Sequence, residues 1–104
     1  MKKISIITPC YNENKEGLTD CCEKISKLFS DELKEYEYEH IICDNNSDEE
    51  TISTLREISS KNKNIKIIIN AKNYGSAKSV FNGIKNSSGD AVLLFFPVDM
   101  QDPP

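Results

Sequence analysis

The sequence predicts an α/β fold: an open, mostly parallel sheet with helices on both faces. Three observations carry this. Short β-rich apolar runs alternate with segments of helical spacing along the whole chain. Residues 91–96, Ala-Val-Leu-Leu-Phe-Phe, are apolar at every position, as in a parallel strand covered on both sides. Polar residues able to bind or react gather directly after the apolar runs, where open α/β sheets hold their ligands.

The elements follow in order. Ile4, Ile6 and Ile7 make a first strand ending at Thr8 and Pro9. Leu18, Cys21 or Cys22, Ile25, Leu28 and Phe29 recur at helical spacing and predict a helix over residues 16–30 with one buried stripe. Residues 38–43 form a second strand. Ser47 with Glu50 three positions on has the pattern of a capping box, so a second helix starts there with Ile52, Leu55 and Ile58 inward. Ile65, Ile67, Ile68 and Ile69 give a third strand. Ala77, Val80, Phe81 and Ile84 give a third helix, with Gly89 as its stop signal. Residues 91–96 close the β-α-β-α-β-α-β series.

Composition narrows the function. The 104 residues suit one domain, and 38% hydrophobic with 29% charged is ordinary for a globular one. A net charge of −4 argues against sequence-blind nucleic-acid binding, which needs clustered Lys and Arg. A phosphate-bearing small ligand stays open, because a bound cation can supply positive charge. Cys10, Cys21, Cys22 and Cys43 form no C-x-x-C pair, and His40 is the single histidine, so the ligand set of a zinc site is missing. The thiols are expected to be reduced and to act as small hydrophobes in a cytoplasmic protein. No apolar run approaches the roughly 20 residues of a membrane helix, and residues 4–7 are too short for a signal peptide.

Three strand-end segments hold the candidate chemistry. The first, Thr8-Pro9-Cys10-Tyr11-Asn12-Glu13, lacks the glycines of a dinucleotide turn or a P-loop. Tyr11 is placed to stack on a base, with Glu13 and the backbone near Pro9 as hydrogen-bonding groups. A turn with a surface tyrosine accounts for the same residues. The second, Asp44-Asn45-Asn46-Ser47-Asp48, offers a carboxylate and an amide to a base or ribose; turn and cap chemistry is the alternative. The third, running from Pro97 to Pro104, clusters Asp99, Gln101 and Asp102, oxygen donors suited to Mg2+ or Mn2+. An acidic surface turn explains it equally. His40, inside a strand, is expected to pack rather than to react, and Lys72 and Lys78 to be solvated.

Taken together these segments resemble the family 2 glycosyltransferases. Residues 4–13 are similar to the family's V-x-x-P-x-Y-N-E opening, and residues 44–51 to its D-D/N-x-S-x-D-x-T segment. Asn73-Tyr74-Gly75, Gly83 and Gly89-Asp90 resemble N-x-G…G…G-D. Asp99-Met100-Gln101-Asp102-Pro103-Pro104 resembles the D-L-Q-D-P-P found in members related to dolichyl-phosphate mannose synthase and bactoprenyl-phosphate glucosyltransferases. The resemblance covers essentially the whole chain, collinearly. It implies a Rossmann-like GT-A nucleotide-binding half and a UDP- or GDP-linked sugar donor. It also implies Mg2+ or Mn2+ and transfer with inversion to a lipid phosphate or saccharide in cell-envelope glycan synthesis. Carried over by position, Pro9, Tyr11, Glu13, Asp44, Asn45 and Asp99 contact the nucleotide, and Asp99 and Gln101 hold the metal.

Two positions depart from the pattern. Pro97 stands where the first aspartate of D-x-D belongs, and Asn45 replaces a frequent aspartate. The catalytic base, the acceptor site and any membrane helices belong to downstream segments in this family. The chain alone is therefore expected to bind donor without turnover. In the longer protein it would be cytoplasmic, with membrane association only through those segments; in the chain alone, the fourth-strand edge left uncovered by the missing second half would favour a homodimer. A non-catalytic nucleotide-binding or interaction module of the same fold is the alternative. A receiver domain fits less well, because Asn70 and Ala71 stand where its phosphate-accepting aspartate belongs.

Overall fold

The computed structural model describes residues 2–12, 14–70 and 83–94. Its elements are β1 (Lys3–Cys10), α1 (Lys15–Asp31), β2 (Glu37–Asp44), α2 (Glu49–Lys61), β3 (Ile65–Ile69) and β4 (Ala91–Leu94). All strand pairs are parallel, in the order β3-β2-β1-β4. The chain thus moves outward from β1 through β2 to β3, then returns to the other side of β1 for β4. The strand order reverses at β1, the place where open parallel sheets leave a crevice at their carboxyl ends.

Strand alternation sorts the core into two layers. On one face Ile6 packs with Cys21, Ile25 and Phe29 of α1, while Cys10 and Ile42 meet Leu18, Cys22 and Leu55. On the opposite face Ile7, Ile41 and Cys43 pack with Ile68. That layer is met by residues 83–85, which are helical. There a Cβ on Gly83 would stand 2.7 Å from both Cys43 Sγ and Ile7 Cγ2, so only glycine lets this backbone approach the sheet. Helical cover on both faces agrees with the expectation, although residues 77–82 of the predicted third helix lie outside the described residues.

Several local expectations are revised. Leu28, assigned to the buried stripe of α1, is exposed, whereas Leu18, Cys21, Cys22, Ile25 and Phe29 are buried as predicted. The N-cap of α2 is Asp48, whose carboxylate accepts the Thr51 N–H at 2.9 Å; Ser47 is not the cap. Two adjacent cap-forming residues compete here, and Ser47 is drawn off by partners described below. Gly89 is explained by close approach to β1. A Cβ there would come 2.8 Å from the Ser5 backbone nitrogen, and the Gly89 N–H donates to Ser5 Oγ at 2.9 Å. β4 was expected to be central and covered, yet among the described residues it ends the sheet, with Leu93 and Leu94 about half exposed.

One charged group is buried at the amino end of the sheet. Glu39 lies 2% exposed in β2, accepts from Ser5 Oγ and the Ser88 N–H, and stands 2.7 Å from Lys66 Nζ. Burial raises its pKa, but Lys66, Ser5 and Ser88 outweigh burial and hold the carboxyl at about 2. This network ties β1, β2 and β3 to the turn that leads into β4.

Candidate functional site at the carboxyl ends of the strands

Register places Cys10, Asp44 and Ile69 level with one another at the ends of β1, β2 and β3. The ladder runs one step further: the Asn45 N–H donates to the Cys10 carbonyl and the Asn70 N–H to the Asp44 carbonyl, each at 2.8 Å. The three strand-end loops therefore start from one rigid edge. β4 runs parallel to β1, with Leu94 opposite Ile7, and so leads toward the same edge.

The residues expected to bind nucleotide are only partly exposed. Tyr11 is 46% exposed immediately after β1. Pro9, Asp44 and Asn45 are buried behind it. Asn45 Oδ1 accepts from Asn70 Nδ2 at 3.1 Å. Both oxygens of the Asp44 carboxylate accept from Ser47: one from its N–H at 2.8 Å, the other from its hydroxyl. Glu13, Asp99, Gln101 and Asp102 lie outside the described residues.

Sequence reasoning passed over Asn12 as a working residue. Its N–H donates to Ser47 Oγ at 2.8 Å, and its Oδ1 accepts the Asp48 N–H at 2.8 Å. Asn12 and Asn46 are the two non-glycine residues of the described chain with positive φ, at 49° and 63°. Asparagine tolerates that conformation better than most residues. The signal was available as an asparagine in each of the loops after β1 and β2, but the bonds from Asn12 to Ser47 and Asp48 were not.

His40 behaves as expected of a packed residue. It is 1% exposed, its Nε2 is 2.9 Å from Thr8 Oγ1, and burial pushes its pKa down to about 4. All four thiols are buried and none is in a disulfide. Burial, then the neighbouring Cys21 and Glu23, pushes Cys22 up to about 12, far from a reactive thiolate. Among the described residues no group of three His, Cys, Asp or Glu stands in position to hold a metal ion, and no helix is long and apolar enough to cross a membrane. A cleft of about 730 Å³ opens at the other end of the sheet, beside Lys3, Tyr36, Tyr38 and Lys66. Lys3 and Lys66 face the buried Glu39, and the cleft lies away from the carboxyl ends of the strands, where open α/β sheets bind ligands.

An open parallel sheet with a reversal of strand order and polar loops at its carboxyl edge defines a doubly wound α/β domain as a class, with its ligand crevice at that edge. Comparison with known proteins takes this further. The model of the family described as "Glycosyl transferase family 2" matches residues 5–104, and the chain belongs to that family. It is 34% identical over 102 residues to a dolichol-phosphate mannosyltransferase of Pyrococcus furiosus, covering 98% of this chain and 27% of that protein. It is also 34% identical over 106 residues to an undecaprenyl-phosphate 4-deoxy-4-formamido-L-arabinose transferase of Proteus mirabilis, covering 100% of this chain and 31% of the relative. The chain thus spans less than a third of the length of these relatives. Among solved structures, a mannosyltransferase of Pyrobaculum calidifontis in complex with GDP-Man and Mn2+ superposes with a TM-score of 0.76. The match is 18% identical and covers 91% of this chain and 27% of that one. That likeness establishes the GT-A fold.

Proposed function

We propose that this chain is the donor-binding part of a glycosyltransferase that moves a sugar from a nucleoside diphosphate to a lipid-phosphate or saccharide acceptor. The observation that carries the reading is the shared edge formed by Cys10, Asp44 and Ile69, with Tyr11 exposed beside it in a family 2 chain. In this reading Tyr11 stacks on the base, and Glu13 and Asn45 stand at the base and ribose. Pro9 and Asp44 shape the floor. Asp99 and Gln101, five and seven residues beyond the end of β4, hold a divalent cation and Asp99 reaches the nucleotide. The cation, when bound, offsets the charge of the leaving diphosphate. The relatives named for transfer to dolichol phosphate and undecaprenyl phosphate favour a lipid-phosphate acceptor, and the family pattern favours inversion. Peripheral placement at the inner membrane face and a homodimer through β4 belong to the same proposal.

The test is titration calorimetry with UDP, GDP and their sugar conjugates, with and without Mn2+. Binding that requires the metal, prefers one base and is lost in Asp99→Ala is the expected result. Metal-dependent binding unchanged by Asp99→Ala refutes the assigned metal site. Silence with every ligand from a folded chain would favour a non-catalytic module of this fold.

A further inference from the structure

Tyr11 is 46% exposed, so packing covers only part of the residue. The residue that follows it is held instead, by hydrogen bonds running in both directions between the loops after β1 and β2. Asp44 is fully buried and, as a carboxylate, can only accept. It takes both the N–H and the hydroxyl proton of Ser47. With its proton committed, the Ser47 hydroxyl presents lone pairs, and the Asn12 N–H donates to it. Asn12 returns the interaction by accepting the Asp48 N–H, at the cap of α2. One bond would leave Asn12 free to swivel; two bonds of opposite sense fix its position and its rotation. Tyr11 lies between this held residue and Cys10, the last residue of β1, so its backbone is fixed at both ends.

We propose that Asp44, Ser47 and Asn12 form a relay of positioning residues that holds Tyr11 ready for the nucleotide base before it binds. The inference rests on the donor-site reading above and adds to the part of Asp44: its carboxylate also acts through Ser47. Holding the ring before binding saves the ordering cost that a mobile aromatic would incur on association.

The test measures nucleotide affinity of the whole chain, using GDP and UDP with Mn2+, under conditions where circular dichroism shows every variant folded. Asn12→Gly keeps the positive φ and the donation to Ser47 but removes the acceptor for Asp48. It is expected to bind about tenfold more weakly, the size of one net hydrogen bond. Ser47→Ala should lose a similar factor and Ser47→Thr, which keeps the hydroxyl, should restore it. In a Tyr11→Ala background Asn12→Gly should cost no further affinity, because the relay acts through that ring. Equal affinity of Asn12→Gly and the unaltered chain overturns the relay, as does a tenfold loss that persists without Tyr11. An unaltered chain that binds neither nucleotide overturns the donor-site reading, and the relay falls with it.

Discussion

His40 makes the stability of this domain sensitive to mild acid. It is the only histidine, so it is the one side chain whose ordinary titration falls between pH 5 and 8 apart from perturbed groups. Burial lowers its folded pKa from 6.5 to about 4. Its Nε2 faces Thr8, and its Nδ1 is buried with no hydrogen-bond partner among the described residues. A proton there would be unsolvated and without a carboxylate to meet it. The sign follows from linkage: below pH 6.5 the unfolded chain takes up a proton that the folded chain refuses until about pH 4, so stability is lost across that window as pH falls. Between pH 7 and pH 5 the loss is about 2 kcal/mol by the same linkage relation. Urea unfolding followed by circular dichroism at several pH values measures it. His40→Gln, which keeps a group able to reach Thr8 but does not titrate, should lack this component. A parallel pH dependence in the unaltered chain and in His40→Gln would refute the reasoning, as would an imidazole proton resonance titrating near 6.5 in the folded protein.

Two further predictions concern how the sheet is assembled. Gly83→Ala should destabilise by about 1–3 kcal/mol, the cost of overpacking, because the new methyl meets Cys43 Sγ and Ile7 Cγ2 at 2.7 Å; adding Cys43→Ala should recover part of the loss in thermal or urea unfolding. Glu39→Gln should cost about 1–3 kcal/mol at neutral pH, since Lys66 loses its partner while Ser5 and Ser88 keep an acceptor. Because the Glu39 pKa is depressed to about 2, its ionic contribution is full above pH 4.5 and fades as pH falls toward 2. The stability difference between the two proteins should therefore be flat from pH 8 to about 4.5 and shrink below it; a difference already shrinking at pH 6 would count against the assignment.

What the sequence determined by itself was whatever depends on near neighbours. Periods of 2 and 3.6 placed β1, α1, β2, α2 and β3 within a residue or two, because each element must turn its apolar side chains to one face. The four collinear motifs pointed to the family, because loops at strand ends keep their chemistry in short contiguous stretches. Contacts between distant segments decided the rest. Ser47 and Asp48 are both good caps, and the Ser47 hydroxyl is occupied elsewhere: it donates to Asp44 and accepts the N–H of Asn12, 35 residues earlier. Glu39 looks like a misplaced charge in an apolar strand until Lys66, Ser5 and Ser88 arrive from three other segments to surround it. Gly89 reads as a helix stop, and only the approach of Ser5 shows why a side chain there would collide. Asp44 could be seen in the sequence as a strand-end carboxylate, but not that its two oxygens are turned to Ser47. Hydrophobic period and cap chemistry act over a few residues and leave a local trace. The direction of a polar side chain is set by whichever partners the folded chain brings within 3 Å of it, and that depends on the tertiary structure alone.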